Sequence, residues 1–498
     1  MQKHKLLGYI AGIIAFVSII IVGDFDPARP LINSMSAIAV LMAVFWITEA
    51  IPLAATSLIP IIFFPLTGIL SAEEIASSYI NSIIFLFLGG FLIAIAMEEW
   101  NLHKRIALKI IMVFGGSPSS IIFGFMVAGA FLSMWISNTA TALMLLPIGM
   151  AVIQKLESEF GDELTHNFNI NVLLAIAYSS SIGGIATLIG TPPNLVMVKT
   201  LEVLFPESPA ISFGNWMILA VPISLLMLIS VAVLLTKVLF KVDKKIHLAG
   251  EFIKSEYQQL GKLTFEERSV SLIFFMTAIL WIFRSDIFIG FTTIPGWSNL
   301  LPTSELINDG TVSITMAFIL FLIPSKTAKR SLLDAAAFAK VPWGVILLFG
   351  GGFALAKGFT ATGLSEFLGN QLTGLSSVSP IFIIVIIATF VTFLTELTSN
   401  TALTQMILPI VASVSVAIGL NPLLLMFTAT ISASMAFMLP VATPPNTIIF
   451  SAGRIKIIEM AKTGFLLNLA GIVIISLCVY FLGGLLFDLE TFPAWAKP

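Results

Sequence analysis

Apolar residues run along this chain in long blocks separated by short polar connections. A helix that crosses a bilayer needs about 20 mainly apolar residues. The blocks predict crossings over 6–23, 31–49, 52–70, 79–98, 168–199, 211–239, 269–285, 309–324, 342–361, 423–451 and 463–487. Two further blocks, 117–152 and 376–418, are too long for one crossing, and each is interrupted in the middle by a polar tract. The tracts are Ser137-Asn138-Thr139 and Thr398-Ser399-Asn400-Thr401. Each block has room for two short helices, one in and one back out, and predicts a re-entrant hairpin. The expected fold is an all-α polytopic membrane protein with about eleven transmembrane helices plus two hairpins. Lys3 and Lys5 precede the apolar stretch Leu6–Val22. It is longer than the apolar region of a signal peptide and has no small-residue cleavage site after it, so it reads as a retained first helix.

Composition fits this pattern. Of the 498 residues 58% are hydrophobic and 10% are charged, against about 25% charged in soluble domains. The net charge of −2 supplies no basic field for nucleic acid. The single cysteine, Cys478, excludes an internal disulfide, and His4, His103, His166 and His247 do not have metal-ligand spacing. Basic residues collect in cytoplasmic loops. With the N-terminus inside and the hairpins returning to their own side, all of the 25 lysines and arginines except Arg29, Lys199, Arg284, Lys357 and Lys497 fall inside. The C-terminus is then external, and the charged segment 241–268 is a solvated cytoplasmic connection. Trp100-Asn101-Leu102-His103-Lys104-Arg105 reads as an interfacial amphipathic arm.

The chain repeats itself. Gly89-Gly90-Phe91 and Ser137-Asn138-Thr139 recur as Gly351-Gly352-Phe353 and Ser399-Asn400-Thr401, both 262 positions later. After each hairpin comes a second shared motif, Gly190-Thr191-Pro192-Pro193-Asn194 and Ala442-Thr443-Pro444-Pro445-Asn446. Five crossings separate the hairpins. Five is odd, so the hairpins enter from opposite faces, as in the inverted repeats of secondary transporters. The expected organisation is an N-terminal helix (1–30), a first inverted repeat (31–240), the connection (241–268) and a second inverted repeat (269–498).

The motifs suit ion and anion binding. Thr-Pro-Pro breaks a helix, because proline lacks the amide donor and disfavours helical geometry before it. Broken backbone at membrane depth is tolerated where it lines a cavity or is buried in protein, and it frees carbonyls for a cation. Asn194 and Asn446 are candidate caps of the half-helices that follow. The Ser-Asn-Thr tips present helix N-termini, which favour carboxylates. Two tips from opposite faces fit a substrate with two anionic ends. No lysine or arginine lies in the tips, so bound sodium ions supply the positive charge and couple the two ligands. A lone Ser-Asn-Thr is often helix-packing glue and a lone Pro-Pro a kink; four copies in symmetric order favour function. Glu49 and Glu396 sit in apolar surroundings. Glu396 is expected to brace backbone amides of the second hairpin.

On these motifs the sequence resembles the divalent anion/sodium symporter family, including INDY-type dicarboxylate transporters, over nearly the whole chain. The resemblance implies a homodimer in the inner membrane, with scaffold and transport domains interleaved across both repeats and an elevator-type motion. It implies that substrate carboxylates meet Asn138, Thr139, Asn400 and Thr401, with Thr443 and Pro444 completing the pocket. It places one sodium near Ser133, Ser137, Asn138 and Gly190, and a second near Thr395, Thr398, Asn400 and Ala442. Threonine at 443 resembles the carboxylate branch more than the sulfate branch. The implied activity is sodium-coupled import of C4-dicarboxylates such as succinate, malate or fumarate. The alternatives are a sodium-independent dicarboxylate exchanger and a sulfate or citrate carrier. A membrane-embedded enzyme is disfavoured, since no catalytic carboxylate, histidine or metal motif marks an interface.

Overall fold

The computed structural model describes residues 3–114, 117–243, 251–289 and 292–497. Lys244, Lys245 and His247 of the expected connection lie outside the described residues. The described residues are predominantly helical, with a two-residue antiparallel strand pair, Ile287–Phe288 with Thr293–Ile294, and an isolated bridge between Pro324 and Ser331. Among the described residues nine helices are long and apolar enough to cross a membrane. They include Leu31–Thr48, Trp343–Thr362 and Phe213–Leu239.

Both interrupted blocks fold as two helices joined at the polar tract. The first is Pro118–Ser133 followed by Asn138–Phe160, and the second is Pro380–Leu394 followed by Asn400–Ala417. At about 1.5 Å per residue, the inbound arms reach roughly 22–24 Å, less than the ~30 Å hydrocarbon core. Two expected crossings differ from the prediction. The block 52–70 is a pair of short helices, Leu53–Thr56 and Ile59–Thr67. Pro60 stands in the first turn of the second helix, and Ser57 turns back on Leu53 O at 2.8 Å, so the chain restarts there. The block 79–98 is broken before Ser82–Glu99, where Asn81 caps the amides of Ile83 and Ile84.

Two apolar cores form. The smaller joins Leu31–Thr48 and Ile59–Thr67 to Trp343–Thr362. The larger encloses both hairpins and the broken helices. The expected arm is a separate helix, Leu102–Phe114. It is clamped by buried Arg105, which pairs with Glu267 at 2.7 Å and donates to the carbonyls of Leu260 and Gly261 at 3.1 Å. A buried charge stays ionised only when paired and hydrogen-bonded in this way. Glu49 is not an interior carboxylate. It ends Leu31–Thr48 in a left-handed turn (φ 46°), is 58% exposed and lies 3.9 Å from Lys5.

Candidate functional site

Each hairpin turns where a polar residue interrupts an apolar run. Ser137 stands before Asn138–Phe160 in extended geometry, and its hydroxyl accepts the Ala140 amide at 3.2 Å. Ser399 holds the same place before Asn400–Ala417, without a side-chain cap. The asparagines therefore begin the outbound helices, and their side chains reach back to the inbound ones. Ser133 Oγ lies 2.5 Å from the Asn138 carboxamide, and Thr395 Oγ1 lies 2.8 Å from Asn400 Oδ1. Thr395 Oγ1 is also 2.7 Å from the Ala433 carbonyl, so one proton serves two acceptors. Thr139 and Thr401 follow at the second helical position.

The broken helices supply the rest. Asp162–Ile185 ends before a short unwound stretch, and Pro192–Leu204 resumes. Pro422–Ser432 and Pro444–Phe450 repeat this with a longer gap. The helix caps are Thr191 and Thr443, not the asparagines. The prolines fill the first two helical positions, which puts Asn194 and Asn446 one place further in. There their amides donate to carbonyls of the unwound stretch and, for Asn194, also of the last turn of the preceding helix. Asn194 Nδ2 meets Gly184 O at 3.1 Å and Thr187 O at 2.6 Å. Asn446 Nδ2 meets Ala436 O at 3.1 Å and Leu439 O at 3.0 Å. These acceptors sit at matching places, so each asparagine stitches its own gap in the same way.

Glu396 also differs from expectation. Its carboxylate accepts the amides of Phe437, Met438 and Leu439 at 2.8, 2.9 and 3.1 Å, and Asn468 Nδ2 at 2.8 Å. It braces the second unwound segment rather than the hairpin. The reason is geometric: an unwound turn exposes three consecutive donors that the helix no longer uses.

Oxygen atoms concentrate at the predicted ion positions. Around one terminal atom of the Asn138 carboxamide lie Ser133 Oγ at 2.5 Å, Ser180 O at 3.1 Å and Gly190 O at 3.2 Å. With its nitrogen there the amide donates to this cluster; with its oxygen there the cluster is all oxygen, a donor set that fits a hard monovalent cation. Gly190 approaches closely because a Cβ would strike Ser133 O and Gly184 O. Thr187 Oγ1 accepts the Gly190 amide at 3.1 Å and donates to Met134 O. In the second half the hydroxyls of Thr398, Ser432 and Ser434 are buried without a partner. Ala442 is buried and its amide turns back on Leu439 O at 3.2 Å. Thr443 is buried and Pro444 exposed. Sequence reasoning missed Ser180, Thr187, Ala433 and Asn468. The run Ser179-Ser180-Ser181 inside an apolar helix was the available signal for the first of these.

The halves interlock crosswise. The helix Pro444–Phe450 packs against Asn138–Phe160, and Pro192–Leu204 packs against Asn400–Ala417. Each outbound hairpin helix thus packs on the broken helix of the other half. The model of the sodium:sulfate symporter transmembrane region matches residues 3–489. The chain belongs to the sodium:sulfate symporter family. It is 44% identical over 485 residues to the sodium-dependent dicarboxylate transporter SdcS of Staphylococcus saprophyticus, covering 96% of this chain and 91% of that protein. It is 45% identical over 453 residues to SdcS of Staphylococcus aureus, covering 90% of this chain and 85% of that protein. Two solved transporter structures share the fold. Neisseria gonorrhoeae MtrF matches with a TM-score of 0.58 at 12% identity, over 91% of this chain and 96% of that chain. Alcanivorax borkumensis YdaH matches with a TM-score of 0.55 at 11% identity, over 84% of this chain and 88% of that chain.

Proposed function

We propose that this family member is a sodium-coupled symporter that imports C4-dicarboxylates such as succinate, malate or fumarate. The observation that carries the reading is the doubled tip: a hydroxyl bonded to an asparagine carboxamide, beside freed carbonyls, in each half. Asn138, Thr139, Asn400, Thr401, Thr443 and Pro444 bind the substrate. Ser133, Ser137, Asn138 and Gly190 hold one sodium; Thr395, Thr398, Asn400 and Ala442 hold the other. The two sodium ions offset the charge of the dianion, so each ligand raises affinity for the other. The name carried by relatives at 44–45% identity favours dicarboxylate over sulfate.

The finer architecture belongs to the same proposal. Two inverted repeats, 31–240 and 269–498, follow the N-terminal helix 1–30 and are joined by 241–268. Scaffold and transport domains interleave across them and work by an elevator-type alternating access. The protein is a homodimer in the inner membrane, with its N-terminus cytoplasmic and its C-terminus external. Fast labelling of a Lys254→Cys variant in intact cells by an impermeant thiol reagent would reverse this orientation. The deciding test of function is uptake of labelled succinate into proteoliposomes with and without a sodium gradient. Accumulation only with sodium is expected; equal uptake in choline makes the protein an exchanger.

A further inference from the structure

The tip contacts proposed for the substrate come in pairs, Asn138 and Thr139 in one half, Asn400 and Thr401 in the other. Paired tips suit what the two ends of a dicarboxylate share. A group that reads what differs between the ends must stand beside one tip and be missing from the other. Trp135 is such a group. It precedes Ser137 by two residues and is 8% exposed. Its ring stacks on Phe213 (centroids 6.0 Å apart, 13°) and meets Phe274 edge-on (5.4 Å, 88°), so its position is fixed from two sides. Its indole nitrogen is buried and has no hydrogen-bond partner among the described residues. A buried donor left unpaired is costly, so it points to an acceptor supplied from elsewhere.

Trp135 lines a small cavity with Ser137, Gly90, Phe91 and Ile189. At about 10 Å³ the cavity has room for one water-sized group. The indole N–H and the Ser137 hydroxyl are the polar side-chain groups on its wall. Ser137 Oγ accepts the Ala140 amide at 3.2 Å, which leaves its own proton to donate. The wall therefore offers two donors and fits a single acceptor oxygen; a carboxylate is too large for it. The second half differs at the same places. Leu397, the repeat equivalent of Trp135, carries no donor and is 69% exposed. Gly90 leaves space, since an added Cβ would lie 3.5 Å from Ile189. At its equivalent, Gly352, the space is filled by Gln405, which a Cβ would meet at 2.4 Å.

We propose that the Trp135 niche selects dicarboxylates that bear a hydroxyl on the carbon chain, such as malate, over unsubstituted ones such as succinate. The proposal rests on the reading of the tips as the dicarboxylate site. While the two carboxylates hold the tips, the hydroxyl accepts from the indole N–H and from Ser137. Three fixed points also tell mirror images apart, so the two enantiomers of malate bind unequally. With succinate bound, a water takes the niche and satisfies the indole, so the preference is several-fold rather than absolute.

The test is competition against labelled succinate uptake by the full-length protein in proteoliposomes with a sodium gradient. The unlabelled competitors are succinate and each enantiomer of malate. In the wild type one malate enantiomer should inhibit at a several-fold lower concentration than the other and than succinate. Trp135→Phe keeps a stacked ring and removes the donor, and should bring the three half-inhibitory concentrations together. Gly90→Ala keeps the indole, puts a methyl group into the cavity and should do the same. If Trp135→Phe takes up no succinate, Gly90→Ala decides alone. Equal inhibition by the two enantiomers in the wild type, or an unchanged ratio in either active variant, overturns the niche and leaves the tips as the site. Failure of the wild type to take up succinate removes the dicarboxylate reading, and the niche falls with it.

Discussion

The two ion-site regions share motif and local stitching but not bracing. In the first half the unwound stretch is held by neutral groups: Thr187 bridges Met134 O and the Gly190 amide, and Asn194 gathers carbonyls. In the second half the gap begins about a turn earlier, at Ala433, and a carboxylate closes it. Glu396 takes the three amides that a continuous helix would have bonded internally. The difference teaches that the repeat conserves the ligand geometry while leaving its support free to vary. A longer gap has more orphan donors, and one anion satisfies several of them at once.

The largest effect expected is at the residues the halves share. Asn138→Ala and Asn400→Ala each delete a carboxamide at the crossing of hairpin and broken helix. Each should reduce sodium-driven succinate uptake to background at matched protein level, with no change in oligomeric state. Retention of more than a tenth of wild-type uptake by either variant would take that tip out of the site.

Much of this was legible in the sequence. Long apolar blocks fixed the helices, and the polar tracts at 137–139 and 398–401 fixed the hairpins, because unsatisfied backbone cannot face lipid. The hydrogen bonds that join Ser133 to Asn138 and Thr395 to Asn400 across five residues of each hairpin turn come from the structure; the sequence singled out Ser133 and Thr395 only through the family resemblance. The reach of Asn194 and Asn446 did not follow. Whether an asparagine near two prolines caps its own helix or bonds a preceding gap depends on how the chain unwinds. The partners of Glu396 lie 41 to 43 residues away, and Asn468 lies 72 away. No local pattern carries such contacts. Packing of the inbound hairpin helix Pro380–Leu394 against Pro422–Ser432 and Ile457–Leu477 creates them.

The bracing difference yields the next effect in size. Glu396→Ala strands the buried amide of Phe437, the part-buried amides of Met438 and Leu439, and Asn468, and a buried donor left unsatisfied costs about 1–3 kcal/mol. The variant should lose thermal stability in detergent by several degrees or fail to accumulate. Glu396→Gln keeps an acceptor oxygen and should fold with a smaller loss. Thr187→Val, the corresponding change in the first half, removes one hydroxyl and should cost less than Glu396→Ala. Melting curves of the purified variants rank the three. A Thr187→Val loss equal to that of Glu396→Ala would mean that the two gaps are braced with equal weight.

The smallest effect separates the two ion positions. Among the described residues the Ser133 hydroxyl bonds Asn138, whereas Thr395 lies between Asn400 and the Ala433 carbonyl. Neither is proposed to touch the substrate. Ser133→Ala should therefore raise the sodium concentration for half-maximal uptake a few-fold, and Thr395→Ala should raise it further. The second change frees both a ligand and the unwound strand that carries Ala433. At saturating sodium the half-saturating succinate concentration should return close to wild type in both, because the lost interaction belongs to the ion. Linkage adds a check on sign and size: succinate must tighten sodium binding by the factor by which sodium tightens succinate. Thr395→Ser, which keeps the hydroxyl, should restore the wild-type sodium dependence. Should Thr395→Ser behave as Thr395→Ala does, packing of the methyl group and not ion coordination sets the second site. The contrast between the halves would then lie in their cores.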